Sequence, residues 1–326
     1  MGGQGGIMTH TRKDLDAPLI VPSDVALATT EAMHIAMARV TSAKMADQIA
    51  VQLGHLACRL RPAKQQELET LYREMTGEPP NMLPAKEYAP ATIATMIQIR
   101  MINARLGANP DWRPKEFEVV GLDQVAKDRA SGKGAVFWHL PLEMVGNLVR
   151  MACRDAGWEI PIFYHWQHGP SRSRIGRATL GARDRRIEDQ FGPRLMLRAD
   201  DTQTAKAEAQ AILQASGLVG IRGVGWANKP GVYPLFKGSM KLAFGGPSTA
   251  KRGNAALYLA IAGRTAKGFS LTFKRVEGLP ERSYEDIGAE FARELEAGIR
   301  KSPSLWQVKT RQWTPTPVET EPQEQS

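Results

Sequence analysis

The chain has 326 residues, 42% of them hydrophobic and 24% charged, with a formal net charge of +9 and two cysteines. That is ordinary globular composition, long enough for one large core with a helical subdomain, and it excludes a small stapled scaffold. Cys58 and Cys153 lie far apart, outside any CxxC or Cys/His cluster, which argues against a disulfide framework or structural zinc and for a reducing cytoplasm.

Residues 1–22 read as a flexible N-terminus. Met1 to Asp16 is Gly-rich and polar, without the charged-then-apolar order of a signal peptide, so no export is expected. From about Ser23 to Arg105 the apolar residues recur at helical spacing, as in Met33, Ala36, Met37, Val40 and then Met45, Ile49, Leu53, Leu56. The stretch Gly77-Glu-Pro-Pro80 interrupts them, because proline removes an amide donor and restricts the residue before it. A helical N-terminal region is therefore expected over 23–112. Its most apolar run, Ala91–Ile102, is interrupted by Gln98 and Arg100 and is too short to span a bilayer. The face carrying Ile93, Met96, Ile97 and Met101 suits either a membrane interface or packing against a core.

After Trp112 short apolar runs take over: Ala135–Trp138, Ile160–Tyr164, Arg194–Leu197, Leu218–Ile221, Ala256–Ile261 and Phe269–Phe273. These are strand candidates. Between them Leu142–Ala156, Thr202–Ala215 and Tyr284–Arg300 have helical periodicity. The alternation predicts an α/β domain over 113–313, a mixed sheet flanked by helices, with antiparallel pairing near Ala256–Phe273. Residues 314–326 are Pro-rich and polar and are expected to be disordered.

Several signals fail on spacing. Gly220-Ile-Arg-Gly223-Val-Gly225 is not a dinucleotide fingerprint, Gly132-Lys133-Gly134 lacks the rest of a phosphate loop, and no nucleophile elbow is present. The arginines 172, 174, 177, 183, 185, 186, 194 and 198 form a dense basic stretch, which reads as a phosphate-attracting patch or as a solvated surface. No nucleic-acid reader motif accompanies it, so nucleic acid is not expected as a partner. What remains is Gly132-Lys-Gly-Ala-Val-Phe-Trp-His139-Leu-Pro-Leu-Glu143. A buried strand delivers His139 to its C-terminal end, where α/β sheets place their chemistry, and Glu143 follows near the next helix start. The pair reads as a base and its orienter, or as a structural histidine capping a strand.

That run resembles the first block of the lauroyl and myristoyl acyltransferases of lipid A biosynthesis, in the lysophospholipid acyltransferase superfamily. The resemblance continues in Phe117-Glu-Val-Val-Gly-Leu-Asp-Gln-Val, in Tyr233-Pro-Leu-Phe-Lys-Gly238 with Gly246-Pro247-Ser-Thr-Ala250, and in Phe291 to Trp306 with Arg311 and Trp313. It covers roughly residues 115 to 313. Two positions depart from it. Three residues separate His139 from Glu143 where the family has four, which would put Met144 in the acid's place, and Arg222-Gly-Val-Gly stands where the family has an Asp-Gln-like pair.

The resemblance implies a glycerolipid acyltransferase-like fold and transfer of an acyl chain from acyl carrier protein or coenzyme A to a hydroxyl of a lipid or glycolipid, with no cofactor or metal. In that scheme His139 is the base and Glu143 its orienter. Arg174 or Arg186, with Gly246 and Pro247, would hold phosphate or substrate. The implied location is peripheral, on the cytoplasmic face of a Gram-negative inner membrane. Rival readings are a non-catalytic relative that binds lipid or a biosynthetic complex, and a nucleic-acid-binding protein.

Overall fold

A computed structural model describes residues 17–109, 111–114, 117–165, 171, 173–197, 201–224, 230–265, 268–307 and 313–315, the side chains of 164, 165, 183, 184, 186 and 196 excepted. Four helices come first: α1 (Pro22–Val40), α2 (Ala43–Leu60), α3 (Pro62–Thr76) and α4 (Ala85–Ala108). Their boundaries follow from local chemistry. Proline occupies the first position of α1 and α3, where no amide partner is lost. The Ser42 hydroxyl accepts from the Met45 amide to cap α2. Gly77, at φ 70°, ends α3 in the left-handed conformation that glycine adopts without cost.

The 24-residue α4 is the axis of this region, packed by the other three helices. Gly54 lets α2 approach it, because a Cβ there would stand 2.5 Å from the Pro90 carbonyl oxygen. Met101 is fully buried and Ile93, Met96 and Ile97 are half-buried, so much of the apolar face of α4 packs against protein.

The α/β region follows: β1 (Phe117–Val120), α5 (Leu122–Ala130), β2 (Ala135–His139), α6 (Val145–Asp155), β3 (Ile162–His165), α7 (Arg174–Asp189), β4 (Arg194–Leu197), α8 (Gln203–Gln214) and β5 (Leu218–Arg222). Then come β6 (Gly231–Leu235), β7 (Gly238–Leu242), α9 (Gly245–Arg252), β8 (Ala256–Arg264), β9 (Phe269–Arg275), α10 (Tyr284–Lys301), a 3₁₀ turn at Pro303–Leu305 and β10 (Trp313–Pro315). Seven strands form one mixed sheet in the order β1-β9-β8-β2-β5-β3-β4. Strands β8, β2, β5, β3 and β4 run parallel, and the antiparallel β8/β9 pair reverses the direction at one side. The fold is α/β, with a mixed sheet flanked by helices as the alternating pattern predicts.

Three short strands, β10-β7-β6, make a second, antiparallel sheet. It brings the chain beyond the expected ordered end. Thr314 and Pro315, expected in a disordered tail, pair with Ser239 and Gly238. The cause is Trp313, buried and donating its indole N–H to the Leu235 carbonyl. Residues 316–326 and 1–16 lie outside the described set.

Side chains alternate across β2 as the pleat requires. Trp138 packs on Phe244 and Phe291, on the face covered by α9 and α10. Phe137 and His139 point to the other face, where Phe137 meets Tyr258 and Phe273. Buried Asp128 on α5 ties that layer together, accepting from the Tyr258 hydroxyl and from two nitrogens of Arg275 on β9. Removing Asp128 leaves the buried Tyr258 hydroxyl without this partner and Arg275 with Glu277 alone. Asp128→Ala is therefore expected to destabilise the protein by about 2–4 kcal/mol in urea unfolding, and an unchanged midpoint would contradict this account of the layer.

Candidate active site around His139

β2 sits in the middle of the large sheet, hydrogen-bonded to β5 on one edge and β8 on the other, and all five of its residues are buried. Its last residue is His139, 2% exposed. The ring lies over Gly220 of β5. A Cβ at Gly220 would come within 3.2 Å of the His139 Nε2 and 2.8 Å of Ile162, so the glycine makes room for the imidazole. Beyond the ring a cavity of about 340 Å³ opens at the C-terminal end of the strand, where open α/β sheets carry their ligands. The buried His139 Nε2 has no hydrogen-bond partner among the described residues.

Polar groups from several elements border this cavity. Asn103 comes from α4, Asn147 and Arg150 from α6, Glu188 from α7 and Arg222 from β5. Asn147 donates to Asn103 at 2.7 Å. Arg150 is 6% exposed, on the buried side of an otherwise apolar helix face. Burial pulls its pKa down to about 10, against the pull of Glu188. Burial likewise raises the pKa of Glu188, and Arg150 opposes the rise. Arg222 stands directly across from His139 in the β2/β5 register. Burial first, then Arg222 and Arg150, lower the His139 pKa to about 3. The imidazole is therefore neutral at ordinary pH, with a lone pair available.

Glu143 lines the same cavity, and its amide donates to the Leu305 carbonyl at 2.8 Å. It does not bond the buried His139 Nε2, and no carboxylate is among the groups that set the ring's charge. Met144, the next residue, is buried and caps α6 with φ 69°, a left-handed conformation that re-aims the loop. His139 and Glu143 thus share a cavity without forming the expected base-and-orienter contact.

The other expected residues lie elsewhere. Arg174 opens α7, with its amide on the Pro18 carbonyl and its side chain exposed. Glu188 lies fourteen residues further along that helix, and at about 1.5 Å per residue Arg174 is some 20 Å from the cavity. It is held there because the Ser171 and Ser173 hydroxyls bond Asp24 of α1. Arg186 is in the last turn of α7, but its side chain lies outside the described residues. Gly246 and Pro247 begin α9 on the opposite face of the sheet, where a Cβ on Gly246 would meet the Trp138 ring at 2.6 Å. They pack and do not border the His139 cavity.

Sequence reasoning missed Arg150, Glu188 and the asparagine pair, and met Arg222 only as a departure. Among the described residues no group of three or more His, Cys, Asp or Glu side chains converges as metal ligands. Both cysteines are buried and unpaired, and burial raises both thiol pKa values, so neither is an activated nucleophile.

A histidine whose folded pKa lies below its unfolded value stabilises the protein above the unfolded pKa and loses that contribution as pH falls. For His139 the window runs from about 6.5 down to about 3. Each pH unit within it costs up to about 1.4 kcal/mol. His139→Gln is expected to flatten the fall of thermal midpoint between pH 6.5 and 4, and parallel curves for the two proteins would contradict the neutral buried ring.

No protein-family model matches the chain, and no curated protein matches it.

Proposed function

We propose that the protein is an O-acyltransferase that moves a fatty acyl chain from a thioester of acyl carrier protein or coenzyme A to a hydroxyl of a lipid or glycolipid acceptor. The observation that carries the reading is the buried His139 at the end of the central strand, which lines a cavity that also holds Arg150 and Arg222. The acceptor O–H gives its proton to the His139 imidazole as its oxygen bonds to the thioester carbonyl carbon. The guanidiniums of Arg150 and Arg222 balance the oxyanion that forms. Collapse breaks the carbon–sulfur bond, and the imidazolium returns the proton to the departing thiolate. With its pKa near 3 the free ring is a weak base. An anionic group of the donor, held by the two arginines, cancels their effect on the ring and raises its basicity on binding.

Nine of the thirteen exposed large hydrophobics among the described residues fall between Leu19 and Leu60. That concentration supports contact of the helical region with a membrane surface, for which a peripheral position on the cytoplasmic face of an inner membrane is the matching location. No helix among the described residues is long and apolar enough to cross a membrane.

One observation favours a second reading. Arg222 occupies the position across from His139 where the resemblance has an acid, and a base beside a cation suits a non-catalytic lipid-binding protein better than a fast enzyme. Purified protein supplied with acyl carrier protein or coenzyme A thioesters and a membrane lipid extract is expected to form an acylated lipid. His139→Ala is expected to lower the rate about 10²–10⁴-fold, the usual contribution of a positioned base. Equal background from both proteins across several chain lengths would give the non-catalytic reading first place.

A further inference from the structure

The helical region contains a second cavity, a groove of about 500 Å³ between α1, α2, α3 and α4. Its walls are apolar, built from Met33, Leu53, Leu56, Leu60, Leu68 and Met96. At the rim Leu56 and Leu60 remain 48% and 72% exposed, an apolar edge with nothing over it in the described chain.

Two lining residues break this pattern. His34 on α1 is 2% exposed; its ring approaches the Thr30 carbonyl one turn earlier, but neither nitrogen completes a hydrogen bond of good geometry. Thr92 on α4 is 6% exposed, and its hydroxyl oxygen is also unpartnered. Buried polar atoms are nearly always satisfied, because each gives up a bond to water on burial. His34 and Thr92, two residues lining one apolar groove, thus carry polar atoms without a well-formed partner among the described residues.

The charges around them define that partner. Arg100 is the cation of the lining, and its guanidinium is bonded to Glu31 at 2.5 Å. Burial and then Arg100 lower the His34 pKa, with the Thr30 carbonyl one turn earlier opposing them as the smallest of the three influences. His34 is therefore a neutral ring with one donor and one acceptor, and Thr92 adds a hydroxyl. An anionic head group would find its cation already engaged.

We propose that this groove binds a single-chain aliphatic lipid with an uncharged, hydrogen-bonding head, of the monoacylglycerol type. His34 and Thr92 bond the ester or hydroxyl of the head, and the chain lies along Met33, Met96, Leu56 and Leu60. The volume is within the range of small-molecule sites. The inference stands apart from the acyl-transfer reading, since no groove residue acts on His139. Gln307, however, borders both cavities, so an occupied groove touches a wall of the His139 cavity.

The test is titration of the full-length protein with 1-monomyristoylglycerol below its aggregation concentration, read by calorimetry. Saturable one-to-one binding is expected. His34→Phe with Thr92→Val should weaken it about tenfold or more, as loss of two buried hydrogen bonds implies. Ala57→Phe, which fills the groove, should abolish it, whereas Thr92→Ser and His139→Ala should leave it intact. Myristate and myristyl phosphate should bind at least tenfold more weakly at pH 7.5. Circular dichroism melting confirms that each variant is folded, and Ala57→Phe decides the question if the double variant is not. Absence of saturable binding, binding insensitive to Ala57→Phe, or tighter binding of either anion would overturn the proposal.

Discussion

The pairing of β2 on both edges is the constraint on which the rest of the structure depends. With β5 and β8 fixing its register and every residue buried, the strand has no freedom to slide or rotate. A shift of one residue would send Trp138 toward the cavity and His139 into the aromatic layer beneath α9 and α10. The position of His139 is thus set by core packing. Gly220 then leaves room for the ring, and the Asp128, Tyr258 and Arg275 network holds the layer beside it. A reactive group placed on such a rigid element is positioned before any ligand arrives.

The electrostatics of the cavity run against the simplest scheme for a histidine base. Two guanidiniums influence the ring, and the carboxylates bordering the cavity act elsewhere, Glu188 on Arg150. Burial, and then these two cations, keep His139 neutral. A ligand carrying negative charge near Arg150 and Arg222 therefore does two things at once, binding to the cations and restoring basicity to the ring. The groove in the helical region is the complement of this cavity, apolar along its walls and electrically neutral at its polar end.

Much of the fold was legible in the sequence. The apolar runs over Ala135–Trp138 and Arg194–Leu197 became β2 and β4 because nothing in them competes with burial. The break at Gly77 to Pro80 fell where α3 ends. The strands β6, β7 and β10 were not legible. Gly231-Val-Tyr-Pro-Leu contains a proline and exposes Val232, so its pairing depends on a partner that local pattern does not reveal. Arg150 escaped for a related reason, since periodicity assigns a charged residue to the solvent face and only the tertiary structure shows it turned inward. Arg174 misled because a basic stretch on one helix spans some 20 Å, and sequence does not say which end approaches the site. The His139 to Glu143 spacing was visible, but the left-handed turn at Met144 that redirects the loop was not.

The central claim is that His139 is a neutral ring whose basicity is held down by burial first and then by the arginines around it. Nitrogen-15 NMR of the labelled imidazole, followed against pH in the wild type and in Arg222→Gln, tests this most directly. The account predicts a wild-type ring that stays neutral down to about pH 4 and titrates near 3, with a clear rise in the variant. A wild-type ring that titrates near 6.5, or an Arg222→Gln ring with an unchanged midpoint, would contradict it.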